Sequence, residues 1–204
     1  IPPTEYTTAN MVGEAGREYE ITVEYAGKTL TAKTSVPYPV KIEKLDTMHT
    51  RYFDAEKRRL RLKLHWKDDP ATEDYYALYF HYEDFNQYSL CQNGVFTDEK
   101  ADPETGIMSV DVYPSSWLKM AAIEKEEERI EEMKKLRTSW FHEGEKVTLM
   151  LVHIDKTTWE ILESYRESGM AGMFMPVWTN PLTNINGGVG YFAGMGKDVL
   201  QVQL

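Results

Sequence analysis

Leu60-Arg61-Leu62-Lys63-Leu64-His65-Trp66 alternates without a break between apolar and polar residues. Successive side chains of a strand point to opposite faces, so Leu60, Leu62, Leu64 and Trp66 share an inner face while Arg61, Lys63 and His65 share a solvated one. Asp68-Asp69-Pro70 ends the run, because aspartate favours turns and proline has no N–H to give a ladder. Tyr75-Tyr76-Ala77-Leu78-Tyr79-Phe80-His81-Tyr82 follows. This aromatic strand lacks a polar face, so it is either covered on both sides or presents tyrosines to a partner.

Outward from these two strands the pattern repeats. Residues 18–25 place Tyr19, Ile21, Val23 and Tyr25 on one face and Glu18, Glu20, Thr22 and Glu24 on the other, which reads as a half-buried strand. Ala26-Gly27-Lys28 turns the chain into residues 29–36, with Leu30, Ala32, Thr34 and Val36 inside, so a hairpin is expected. Val36-Pro37-Tyr38-Pro39 ends it and marks a domain boundary. Further strands are expected at 108–113, 147–154 and 199–204. Many short strands separated by turn signals specify a mainly β protein, an antiparallel sandwich or barrel.

Two helices interrupt the β pattern. One, near 116–138, is capped by Ser115-Ser116 and carries Ile123, Ile130, Met133 and Trp140 on one stripe. The other, near 157–168, starts at Thr157 with Glu160 closing a capping box, runs through Trp159, Leu162 and Tyr165, and stops at Gly169. Its expected role is to cover one end of a sheet.

Composition narrows the class. The chain has 204 residues, enough for a core without staples, and 23 Lys and Arg against 33 Asp and Glu give a formal charge of -10. That sign opposes polyanion binding, so no nucleic-acid partner is expected. The single cysteine, Cys91, excludes an internal disulfide and a cysteine-based zinc site within the chain. No stretch approaches the ~20 apolar residues of a spanning helix. The chain starts at Ile1 with neither an initiator methionine nor a signal-like segment, as a processed or trimmed product would.

Three ordered pieces carry a family resemblance. The first is Gly13-Glu14-Ala15-Gly16 leading into Tyr19, then Gly27-Lys28-Thr29 with Thr31-Ala32, and Val36-Pro37 followed by Val40 and Ile42. The second is Asp69-Pro70 followed by Tyr75-Tyr76, with Asp74 in a position where asparagine is commoner. The third runs from Ser139 to Gly144 into the strand at Val147, through the second helix, to the segment from Thr179 to Phe192. Together they resemble a family of surface lipoproteins of the Bacteroidota catalogued as domain of unknown function 4249. Pro181-Leu182 interrupts the closing element relative to the family pattern.

The resemblance implies an exported protein, anchored by lipid upstream of Ile1 in the outer membrane, facing periplasm or cell surface, and working beside a TonB-dependent receptor in nutrient uptake. It implies Ig-like or transthyretin-like sandwich elements, with residues 1–41 closing an N-terminal domain of that kind and 42–204 forming the main β domain. It carries no catalytic residues. The expectation is a non-enzymatic accessory or ligand-binding component with a glycan or peptide ligand and no cofactor. The alternatives are an envelope hydrolase whose site assembles only in the fold, and a purely structural receptor partner.

Candidate sites stand beside plainer readings. Trp66, Tyr75, Tyr79, Tyr82 and Tyr88, with Tyr76 and Phe85 among them, are the ligand-binding candidates, since exposed aromatic rings stack on sugars or anchor interfaces. The plainer reading is core on one face and helix cover from Trp117 on the other. Asp98, Asp102 and Glu104, with Glu99, offer oxygens to calcium but match ordinary turn chemistry around Asp102-Pro103-Glu104-Thr105-Gly106 better. Gly187, Gly188 and Gly190 read as a positive-φ turn rather than a phosphate loop, with Asn184 and Asn186 bonding local backbone. Histidines 49, 65, 81, 142 and 153 are scattered, no Gly-x-Ser-x-Gly motif is present, and Met170, Met173, Met175 and Met195 read as core filler rather than copper ligands.

Overall fold

The computed structural model describes residues 11–49, 59–82, 88–114, 141–174 and 182–204. In chain order these form β1 (Glu18–Tyr25), β2 (Lys28–Ser35), β3 (Ile42–His49), β4 (Arg59–Lys67), β5 (Tyr75–Tyr82), β6 (Ser89–Thr97), β7 (Ile107–Val112), β8 (Phe141–His142), β9 (Lys146–Ile154), α1 (Lys156–Phe174), β10 (Ile185–Asn186) and β11 (Met195–Gln203). They assemble three antiparallel sheets, β1-β2-β10, β11-β9-β5-β6 and β3-β4-β7 with β8 beside β4. The expected helix near 116–138, with Trp117, lies outside the described residues, as do Phe85 and Met175.

The two larger sheets face each other as a sandwich, and strand alternation builds its core. Leu60, Leu62, Leu64 and Trp66 of β4 meet Tyr76, Leu78, Phe80 and Tyr82 of β5, joined by Met108, Val110 and Val112 of β7 and Val147, Leu149 and Leu151 of β9. Full burial of each large apolar side chain contributes roughly 1.5–3 kcal/mol. The opposite face of β4 is wet as its pattern predicts, with Arg61 bonded to Asp111 at 2.6 Å. The other face of β5 is covered as well. Tyr75, Ala77 and Tyr79, with Val152 and Ile154 of β9, pack against Trp159 and Leu162 of α1.

α1 begins one residue after β9 ends, and Asp155 fills the gap. Its Oδ1 accepts the Thr158 N–H at 2.7 Å, so Asp155 is the N-cap in place of the box expected from Thr157 and Glu160. The helix also runs through Gly169 to Phe174. Each interior glycine costs only about 1 kcal/mol, and the flanking methionines and alanine are good helix formers.

Besides the two-residue strands β8 and β10, two long strands escaped the sequence pattern. β3 alternates weakly. β6 carries Gln92-Asn93-Gly94 in its middle, where a bulge shifts the pairing with β5 between Ala77 and Tyr79 and Asn93 takes φ 55°.

The first sheet is the expected hairpin. Tyr25 pairs with Lys28 across Ala26 and Gly27, both at positive φ as a type I′ loop requires. Its third strand comes from the far end of the chain, where Ile185 pairs with Ala32, so hydrogen bonds cross the sequence boundary at 41. Of the apolar face of β1, only Tyr19 is half-buried. Ile21, Val23 and Tyr25 are 38%, 42% and 72% exposed because they run toward the tip of the hairpin.

The glycine-asparagine segment is a backbone device. Asn184 Nδ2 donates to the Phe192 carbonyl at 2.8 Å, its Oδ1 accepts the Phe192 N–H at 2.9 Å, and Thr183 Oγ1 bonds the Gly190 carbonyl at 2.7 Å. Just beyond, the exit of β2 passes so close to β11 that Gly194 and Gly196 lie against the backbone of Ser35 and Pro37. Thr34 locks this crossing, since its Oγ1 accepts the Gly194 N–H at 2.7 Å and donates to Asp155 Oδ2 at 3.1 Å.

Candidate functional site

The segment between β2 and β3 reaches over the end of the sandwich and leaves a cleft of about 930 Å³ beneath it. Its walls are Tyr38 and Lys41 from that segment, Lys67 at the end of β4, Asp69, Glu73 and Asp74 from the β4–β5 turn, Tyr75 and Tyr76 from β5, and His153, Asp155 and Lys156 at the β9–α1 junction. Carboxylates and ammonium groups both line it, over an aromatic floor.

His153 ties the two walls together. Its Nδ1 lies 2.8 Å from the Tyr38 carbonyl and its Nε2 lies 3.0 Å from Asp74 Oδ1. A carbonyl and a carboxylate both accept, so the pair of bonds is complete only when both ring nitrogens carry protons. Asp74 is held in turn by Thr72 Oγ1 at 2.7 Å and gives its own N–H to Asp98 Oδ2 at 3.2 Å.

Beneath this bridge Asp68 is only 4% exposed. One of its oxygens takes the Tyr76 hydroxyl, and its Oδ2 is buried without a hydrogen-bond partner. Burial, reinforced by the carboxylates of Asp74 and Asp98, raises the Asp68 carboxyl above its usual range against the opposing pull of Tyr76 and His153. A carboxyl whose folded value is raised costs nothing below its unfolded value and weakens the fold as pH climbs past it. Asp68→Asn is therefore expected to match the native protein in urea unfolding below about pH 4 and to exceed it at neutral pH. A loss of stability at neutral pH would show instead that the charged carboxylate supports the fold.

The sequence-named aromatics do not converge. Trp66, Tyr75 and Tyr82 are buried and Tyr79 is half-buried; burial first, then Tyr191, pushes the Tyr79 phenol up to about 12. Alternation splits them, with Trp66 and Tyr82 inside the sandwich and Tyr75 and Tyr79 under α1. Tyr75 borders the cleft while its ring packs on Trp159 at 5.3 Å. Tyr88 is exposed and lies at a separate groove of about 420 Å³ with His81, Thr148 and Gln201.

In the acidic loop Asp102 spends an oxygen on its own turn. Asp102 Oδ1 accepts the N–H groups of Glu104 and Thr105, each at 2.9 Å, and these bonds hold the Asp102 carboxyl below its usual range. Asp98 serves Asp74 as described. Among the described residues no group of three or more His, Cys, Asp or Glu side chains is placed to hold a metal ion.

A second arrangement was invisible in the sequence. On the wet face of the β3-β4-β7 sheet, Ser109 Oγ lies 2.8 Å from His65 Nδ1 and Asp46 Oδ2 lies 3.0 Å from His65 Nε2. Lys44, hydrogen-bonded to Asp46, holds its carboxyl below the usual range, with His65 adding to the effect. An ionised Asp46 only accepts, so Nε2 carries a proton, and in the neutral ring Nδ1 then accepts from the Ser109 hydroxyl. This is the connectivity of a nucleophile, a base and an orienting acid, with the two ring nitrogens exchanged. Its residues sit on an open sheet face.

Of the cleft residues, Tyr38, Asp74 and His153 carried no site signal in the sequence. Pro37-Tyr38-Pro39 read only as the end of a strand.

A family model described as Domain of unknown function (DUF4249) matches residues 2–200. No curated protein matches the chain, and no solved structure does.

Proposed function

The chain belongs to this domain family, whose function is unknown, over nearly its whole length, and from that premise we propose that it is a non-enzymatic binding component of a bacterial cell envelope. The observation that carries the reading is the cleft of about 930 Å³, a size that suits a small ligand or a short stretch of a larger one. The resemblance of its three ordered motifs to surface lipoproteins supports an outer-membrane anchor and a TonB-dependent receptor as partner. In this role the cleft holds a glycan or peptide near the receptor, and the protein's work is recognition rather than bond breaking.

The Ser109–His65–Asp46 row favours one second reading, an envelope hydrolase that attacks acyl groups through the Ser109 hydroxyl. One preparation decides between them. The anchored protein, captured from its native membrane, is expected to bring a TonB-dependent receptor with it and to leave Ser109 unlabelled by a fluorophosphonate probe. A covalent adduct on Ser109, abolished by His65→Ala, would establish the hydrolase instead. Recovery from the soluble fraction without receptor would remove the envelope role.

A further inference from the structure

Tyr38 is 70% exposed, yet three separate restraints hold it. Pro37 and Pro39 flank it, and proline confines its own φ and the conformation of the residue before it. The Tyr38 carbonyl accepts from His153 Nδ1 at 2.8 Å, and His153 is anchored on Asp74. The ring itself lies on the backbone of Gly16: a Cβ there would sit 2.7 Å from the Tyr38 hydroxyl oxygen and 3.1 Å from Cε2. Gly16 is in turn fixed by its N–H bond to the Val36 carbonyl at 2.7 Å. The hydroxyl end of the ring is backed by peptide, while the residue as a whole stays exposed beside the cleft.

An exposed side chain that is already ordered binds without the entropic cost of being immobilised. From this geometry we infer that Tyr38 is a stacking platform for a neutral saccharide, an inference that rests on the binding reading above. The ring offers an apolar face to the C–H face of a pyranose. Five carboxylates line the cleft, but Asp74 is taken up by His153 and Thr72 and Asp155 by Thr34 and the Thr158 N–H. That leaves Glu18, Asp69 and Glu73 to accept and Lys41, Lys67 and Lys156 to donate, a pairing that suits hydroxyl groups, which do both. An anionic ligand would face those three carboxylates, and a cationic one would face the three ammonium groups.

Saturation-transfer NMR on the purified chain, with linear gluco-, manno- and galacto-oligosaccharides as probes, tests the inference. Transfer is expected to concentrate on ring C–H protons. Tyr38→Phe should bind within about twofold of the native chain, whereas Tyr38→Ala should bind about tenfold more weakly with an unchanged melting temperature. No transfer from any of these sugars, or transfer that Tyr38→Ala retains, would overturn the platform while leaving receptor capture, and with it the envelope role, untouched. A proline-rich peptide that binds through Tyr38 when the sugars do not would overturn the saccharide assignment and keep the cleft.

Discussion

Gly194→Ala and Gly196→Ala are each expected to cost about 3 kcal/mol or more of folding stability, the upper end of what overpacking does. A Cβ at Gly194 would sit 2.1 Å from the Ser35 carbonyl oxygen and 2.6 Å from its carbon, and one at Gly196 would sit 2.3 Å from the Pro37 oxygen and 2.8 Å from the Pro39 nitrogen. These neighbours are backbone, so no rotamer change relieves the clash. The strands must separate, which also breaks the bonds of Thr34 to Gly194 and Asp155. Gly188→Ala is the control: its Cβ would meet side-chain carbons of Ile185 and Leu30 at 3.2 Å and 3.4 Å, which can move. Urea unfolding should show a large drop in midpoint for the first two and a loss under about 1 kcal/mol for the third. Equal midpoints for Gly194→Ala and the native chain would mean that β2 and β11 do not cross this closely.

Trp66→Ala is expected to cost about 3–5 kcal/mol, the range for emptying a large aromatic from a core. Trp66 is fully buried, with its ring 5.4 Å from Tyr76 in an edge-on contact and 5.7 Å from Phe96. Trp66→Phe keeps an aromatic ring in the same place and leaves a smaller cavity, so it should cost clearly less. Tyr88→Ala, at an exposed ring, should change stability by no more than about 0.5 kcal/mol. Thermal melts of the three variants separate a core tryptophan from a ligand-facing one. A melting temperature for Trp66→Ala equal to that of Tyr88→Ala would place Trp66 at the surface.

Much of the architecture was legible because strand faces are written in period two. The strands at 60–66 and 18–25 and the turn at Gly27 each appear where the pattern put them, although burial follows the alternation only in the first. β6 was not legible, because a bulge at Asn93 and Gly94 destroys the period that would have revealed it. The reach of α1 was understated at Gly169, since a single glycine does not stop a helix whose neighbours favour it. For the site, aromatic content pointed to β5, but a strand buried on both faces uses its rings as core, and the exposed ring at the cleft is Tyr38, between two prolines.

The sequence by itself determined which side chains share a face, where the chain turns, and the family, since all of these depend on residues close together in order. Only the tertiary structure decided what those faces meet. His153 reaches the Tyr38 carbonyl from 115 positions away, and Asp46, His65 and Ser109 become neighbours through the register of three strands. Local periodicity carries no information about such register, because it is set by how the sheets pair and pack once the loops between them have closed.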